Sequence, residues 1–326
     1  MKPLSGLLAL LMMTGAAQSA SFNCDLAKSR VERSICGNAQ LSLLDESLAS
    51  AYWSARNSLS TQAKKTFLDG QSSWVRFIST SCFLDDNAAG VAATQAQHCL
   101  IEAYQNRIKD IEATGQLVAG FKTYVLLDNA IKVSAKDKSV HTVERRAVQL
   151  DDASTPVTRI NQYLGFSDKI EMDDARGSEV EAVRVSNPAK DWLYKELDGY
   201  SDTGAYPNSY KTCGVYRMSA QRPLLIGDVF SGPKWKAIAE KEARAHFAAL
   251  AKKDPEFQLD MVTDYASFRL NADQEFPYCI DATGITAVGF FPHAAQVFDG
   301  VPIKWSAFAS VLTPYAKEQI QSLSGK

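Results

Sequence analysis

Six cysteines carry the clearest chemistry in this chain: Cys24, Cys36, Cys82, Cys99, Cys213 and Cys279. An even number of thiols can pair as disulfides, and the spacing suggests Cys24–Cys36, Cys82–Cys99 and Cys213–Cys279. Spacing alone leaves other pairings open. The first two pairs would close short loops, each removing on the order of 3 kcal/mol of unfolded-state entropy. A zinc site would instead call for CxxC pairs, or for cysteine beside histidine at close spacing. The histidines are His98, His141, His246 and His293, and only His98 adjoins a cysteine. No metal is expected.

Hydrolytic chemistry has its own spacings. Neither GxSxG nor HExxH occurs, and there is no phosphate-binding P-loop. A carboxylate pair serving a glycosidase leaves no mark on a sequence, because its members come from distant positions. His246 shares a helical face with Glu242, and a hydrogen-bonded structural histidine accounts for it. His293, beside Phe290-Phe291-Pro292, has no partner in view to act with as a base. No catalytic residue and no cofactor are expected.

One stretch suits binding. Asp202, Thr203, Tyr206, Asn208 and Tyr210 lie in a polar, turn-rich segment that includes Gly204 and Pro207. A loop bearing tyrosines and hydrogen-bonding groups can enter a cleft, since tyrosine gives contact area at low entropy cost. The competing explanation is turn chemistry alone, with the segment shaping a hairpin and touching nothing. Trp74 and Tyr52 fall on apolar helical stripes and are assigned to the core. Glu32 reads as a helix-start residue, and Asp85-Asp86 as a solvated loop.

These residues need a compartment and a scaffold. The chain opens with Lys2, then the apolar run Leu7–Met13, then Gly15, Ala16, Ala17, Ser19 and Ala20. That is the layout of a secretory signal peptide over residues 1–20, with cleavage after Ser19 or Ala20. Ser21-Phe22-Asn23 before Cys24 is not a lipobox, and no later segment approaches the roughly 20 apolar residues of a membrane span. The expectation is a periplasmic or secreted protein, a setting that favours disulfides. The net charge is −2, with no basic tract, so nucleic acid is not an expected partner.

Residues 24–114 read as helical. Leu41, Leu44, Leu48, Ala51, Tyr52, Ala55 and Leu59 recur at spacings of three and four. A second helix spans Thr61–Ser81 behind Ser60 as N-cap, and a third spans Ala92–Ala113. Short connections imply a small antiparallel bundle. After the junction at 115–120 the pattern changes. Val118–Val133, Val140–Leu150 and Glu179–Val185 read as strands, with Lys211–Met218 and Tyr265–Leu270 as weaker ones. Helices are expected at Pro156–Leu164 and Trp235–Lys252, and at Trp305–Leu323 with an interruption near Pro314. The expected architecture is α+β and multidomain: a disulfide-bonded helical bundle over 21–115, then an α+β domain with antiparallel strands over 116–326.

The helical part resembles the N-terminal family of the lysozyme inhibitor LprI. The resemblance runs over residues 22–114. Its carriers are Phe22-x-Cys24, Val31-Glu32-x-x-Ile35-Cys36, Leu41-x-x-Leu44-Asp45, Ala51-Tyr52, Gln71-x-x-Trp74, Cys82, Cys99-Leu100 and Tyr104-x-x-Arg107-Ile108. Residues 180–315 resemble the extracellular domain of RsiV-type anti-sigma factors, also found as a non-catalytic module in some peptidoglycan deacetylases. There the carriers are Thr203-Gly204-Ala205-Tyr206-Pro207-Asn208, Pro223–Phe230, Gly284-Ile285, Phe290-Phe291-Pro292 and Ile303-x-x-Ser306-x-Phe308, with Tyr206 standing where the family has histidine. Both resemblances imply contact with lysozyme. The expected partner is a lysozyme-like muramidase, or peptidoglycan, held by steric occlusion. The alternatives are a peptidoglycan hydrolase or modifying enzyme, and an immunity or structural protein that binds a secreted effector.

Overall fold

The structure, a computed structural model, describes residues 20–84, 91–166, 170, 172, 177–202, 207–253, 273–288 and 300–323. The expected signal peptide before Ala20, Asp85-Asp86, Thr203 to Tyr206, the strand expected over Tyr265–Leu270 and the segment Phe290 to His293 lie outside the described residues.

Four helices come first. α1 (Arg30–Cys36) starts in a reciprocal cap: the Glu32 N–H donates to the Ser29 hydroxyl, and the Ser29 N–H donates to the Glu32 carboxylate. The disulfide Cys24–Cys36 ties its last residue to a short turn at Cys24–Leu26. α2 (Ala39–Ser58) is capped by Asn38 and α3 (Thr61–Ser81) by Ser60. The disulfide Cys82–Cys99 joins the end of α3 to α4 (Val91–Glu112).

The helices bury Leu41, Tyr52, Phe67, Trp74, Ile78, Leu100 and Tyr104 in one core. That core also holds Tyr124, Val125 and Leu127 of strand β2 (Phe121–Val133). The bundle therefore uses the first long strand of the sheet as a wall.

The sheet has seven strands in chain order: β1 (Leu117–Val118), β2, β3 (Val140–Leu150), β4 (Gly177–Ala189), β5 (Trp192–Asp202), β6 (Asn208–Arg217) and β7 (Arg222–Pro223). Its neighbours are antiparallel except β3 and β4, which run parallel because α5 (Thr155–Leu164) carries the chain back between them. Along β3 the residues His141, Val143, Arg145, Ala147 and Gln149 are buried, and the residues between them are half-buried. Elements therefore cover both faces of this strand.

A second core lies beyond β5 and β6. It gathers Trp192, Val215, Phe230, Trp235, Tyr278 and Phe308. The elements around it are α6 (Ile226–Val229), α7 (Lys234–Lys253), α8 (Pro314–Leu323) and a three-stranded sheet ordered β10 (Val301–Lys304), β9 (Gly284–Ala287), β8 (Cys279–Ile280). The disulfide Cys213–Cys279 joins β6 to β8.

Several elements differ in detail from the sequence expectation. The single strand expected over Val118–Val133 is split by a two-residue turn at Ala119 and Gly120, both with positive φ, of 51° and 83°. β5 carries no clear alternation in its polar half, yet ten Cα pairings to β6 hold it in the sheet. With β5 between them, β4 and β6 extend past their β-branched stretches through Ser, Asn and Lys, since a strand's fit depends on its neighbours. Pro314 opens α8 rather than interrupting a longer helix, because its missing N–H costs nothing at a first helical position. A separate short turn, Trp305–Phe308, takes up the residues before it.

Candidate functional site

The β5–β6 hairpin places three of the five residues singled out for binding. Asn208 pairs with Ser201 and Tyr210 with Gly199, so Asn208 and Tyr210 stand on one face of the sheet. Asp202 lies one residue beyond Ser201 and belongs to the opposite face. Thr203 and Tyr206 lie outside the described residues. The three described residues do not converge on one side of the hairpin.

Tyr210 is built into the sheet. Its ring covers Gly199 so closely that a Cβ there would lie 2.0 Å from Cζ. Its hydroxyl donates to the Glu181 carboxylate at 2.5 Å, and Glu181 in turn pairs with Arg145 at 2.8 Å. The Arg145 guanidinium lies over Phe166. Burial first, then the Glu181 carboxylate, pushes the Tyr210 hydroxyl up and keeps it neutral. Further along the same two strands, His141 of β3 meets Glu179 of β4 at 3.1 Å. The row is a structural polar ladder across β3, β4 and β6.

The helical motifs build a second polar network, in the core. Tyr104 donates to Asp45 at 3.2 Å, and the N–H and hydroxyl of Ser21 donate to the other Asp45 oxygen at 2.8 and 2.6 Å. Trp74 packs edge-on against Tyr104, with centroids 5.2 Å apart. Arg107, only 1% exposed, donates its Nε–H to Gln71 and lies over the Phe67 ring. Burial pulls its guanidinium down to about 10, against the pull of Asp110 and Tyr52. The motif residues Asp45, Gln71, Trp74, Tyr104 and Arg107 thus shape the interior of the helical region.

Beside that network a cleft of about 360 Å³ opens between α3, α4 and the β2–β3 hairpin. Trp74, Phe77 and Leu127 give it an apolar wall, and Arg107, Asp110, Glu144 and Arg146 give it charge. Arg146 approaches Asp110 to 3.7 Å. Burial pushes the Asp110 carboxyl up, with Arg146 and Arg107 pulling the other way. Burial also raises the Glu144 carboxyl, and Asp110 adds to it while Arg146 opposes. Sequence reading missed this group. Its only signals are Arg107 and Asp110 one helical turn apart, and Glu144 and Arg146 alternating in β3.

A second cavity, of about 460 Å³, lies where α3 begins and β3 ends. Asp151 there accepts from the Ser60 N–H at 2.9 Å and from its hydroxyl. This fixes the start of α3 to the sheet and leaves that carboxylate engaged. Among the described residues no group of His, Cys, Asp and Glu could hold a metal ion. No helix among them is long and apolar enough to cross a membrane.

Residues 24–111 match the family described as lysozyme inhibitor LprI. That span covers α1 to α4 almost to the end of α4, with both short-loop disulfides. No curated protein matches the chain. Solved structures resemble it, among them two DUF3298 family proteins. One is a DUF3298 family protein from Pseudomonas aeruginosa, at 15% identity and a TM-score of 0.41, covering 60% of this chain and 96% of its own. The other is a DUF3298 family member from Bacteroides fragilis, at 12% identity and a TM-score of 0.46, covering 65% of this chain and 100% of its own.

Proposed function

We propose that this chain is an exported binding protein that occludes a lysozyme-like muramidase without covalent chemistry. The observation that carries this reading is the match of residues 24–111 to a lysozyme inhibitor family. The disulfides Cys24–Cys36, Cys82–Cys99 and Cys213–Cys279 agree with an extracytoplasmic setting. The motifs after residue 180 that resemble RsiV-type extracellular domains support a lysozyme partner independently. Because the LprI-like motif residues Asp45, Tyr52, Trp74, Tyr104 and Arg107 are buried, contact falls to outward side chains. Trp53 on α2, 56% exposed with the Arg56 guanidinium over its ring, is the largest apolar group presented by the helices. The β5–β6 connection, with Thr203 and Tyr206, is the second contact we assign.

The test is lysis of a muramidase-sensitive cell-wall suspension by c-, g- and i-type lysozymes, with the oxidised full chain titrated in. Stoichiometric protection against one class is expected, with weaker protection by Trp53→Ala. No protection against any class would sink the reading. Clearing of the suspension by the protein itself would put a hydrolase in its place.

A further inference from the structure

We propose that the cleft between α3, α4 and the β2–β3 hairpin binds a small neutral sugar of the N-acetylated amino-sugar class. This goes beyond the muramidase reading and does not depend on it. The cavity, at about 360 Å³, lies within the range of roughly 300–1,000 Å³ usual for small-molecule sites.

Arg107 is the first observation. It lines the cleft, is 1% exposed, and its Nη1 and Nη2 find no hydrogen-bond partner among the described residues. A buried donor pair left unmatched costs free energy and calls for an acceptor. The acceptor is a neutral one by charge balance. Arg107 and Arg146 already face Asp110 and Glu144, two of each sign, with Glu102 exposed at the rim. A ligand carboxylate would enter beside two half-buried acids without a further cation to meet it.

A neutral ligand with paired donors and acceptors satisfies both kinds of wall. Hydroxyls donate to Asp110 and Glu144, while hydroxyl and amide oxygens accept from the guanidinia. The apolar wall at Trp74 and Phe77 takes C–H faces and the acetyl methyl. An N-acetylated hexosamine combines these groups.

The test uses the oxidised full chain, labelled with ¹⁵N and titrated with N-acetylglucosamine. Saturable shifts of the Trp74 indole and Arg107 Nε signals are expected. Glu144→Gln should weaken the binding about tenfold, a change of about 1.4 kcal/mol, while the amide spectrum away from the cleft stays that of the native fold. Asp110→Asn serves as the second variant should the first fold poorly. Absence of saturable shifts, equal shifts from acetate or glycerol, or undiminished affinity in both variants would overturn the assignment.

Discussion

Arg107 on α4 donates its Nε–H to Oε1 of Gln71 on α3 across 2.8 Å, the one hydrogen bond its guanidinium makes among the described residues. The bond joins two motifs that lie 36 positions apart in sequence. Removing either partner leaves the other without this bond, but the two losses differ. Gln71→Leu leaves a buried cation without an acceptor, at a cost of about 3 kcal/mol or more. Arg107→Met leaves only an amide, at about 1–3 kcal/mol. The double variant Gln71→Leu/Arg107→Met removes both needs and is expected to be close to neutral. Urea unfolding of the four proteins closes the cycle. Equal losses in the two single variants would show that this bond does not organise the pair.

The contact of Tyr210 with Gly199 gives a sign change. Gly199→Ala drives a Cβ into the Tyr210 ring, which must then leave and break its bond to Glu181. The expected loss is about 1–3 kcal/mol. In a Tyr210→Ala background the obstacle is gone, and the same change should stabilise by about 0.5–1 kcal/mol, because glycine is costly within a strand. Paired urea midpoints measure both. A loss of similar size in the two backgrounds would mean the ring does not sit on Gly199.

The three disulfides should not be equivalent. Cys213–Cys279 spans 66 positions, against 12 for Cys24–Cys36 and 17 for Cys82–Cys99. Chain entropy alone then assigns it about 4 kcal/mol and the short pairs about 3 kcal/mol each. It also joins β6 to β8 beside the second core, where Tyr194 donates to Cys213 Sγ. Replacing both cysteines of one pair with serine, pair by pair, should lower the melting temperature most for Cys213 and Cys279. A larger drop for either short pair would show that native packing, not loop length, sets the order.

Much of this fold is legible before any coordinates. The stripe Phe67, Trp74, Phe77, Ile78 and the cap Ser60 mark α3 because helical spacing and capping are local. The cysteine spacing points to the same pairs that bond. β5 is harder to read. Its buried start, Trp192-Leu193-Tyr194, runs into Lys195-Glu196, and only pairing with β4 and β6 on either side makes the rest a strand. The cleft is illegible for a related reason. Asp110 and Glu144 lie on a helix and a strand that tertiary packing alone brings together. The motif Gln71-x-x-Trp74 with Tyr104-x-x-Arg107 is visible in sequence, but a recurring polar residue looks the same whether it faces solvent or, as here, the core.

The acid limb of stability should depend on Asp228. Its carboxylate receives Arg222 at 2.7 and 2.9 Å, Arg217 at 2.9 Å and the Leu225 N–H at 2.8 Å. Burial alone would raise it, but the bonds from Arg222 and Leu225 and the charge of Arg217 outweigh burial and hold it below the usual carboxylate range. A carboxyl whose folded value is depressed adds stability above its unfolded value of about 4, and that contribution is lost as the pH falls through the folded value. Asp110 and Glu144 behave in the opposite way. Burial raises both, so their contribution is present at low pH and lost as the pH rises through the raised value. Asp228→Asn should therefore shrink the difference in melting temperature between neutral and acid solution, and Glu144→Gln should widen it. Melting curves from neutral pH to below about 4 check both, and a matched effect of the two substitutions would refute the assignment of either carboxyl.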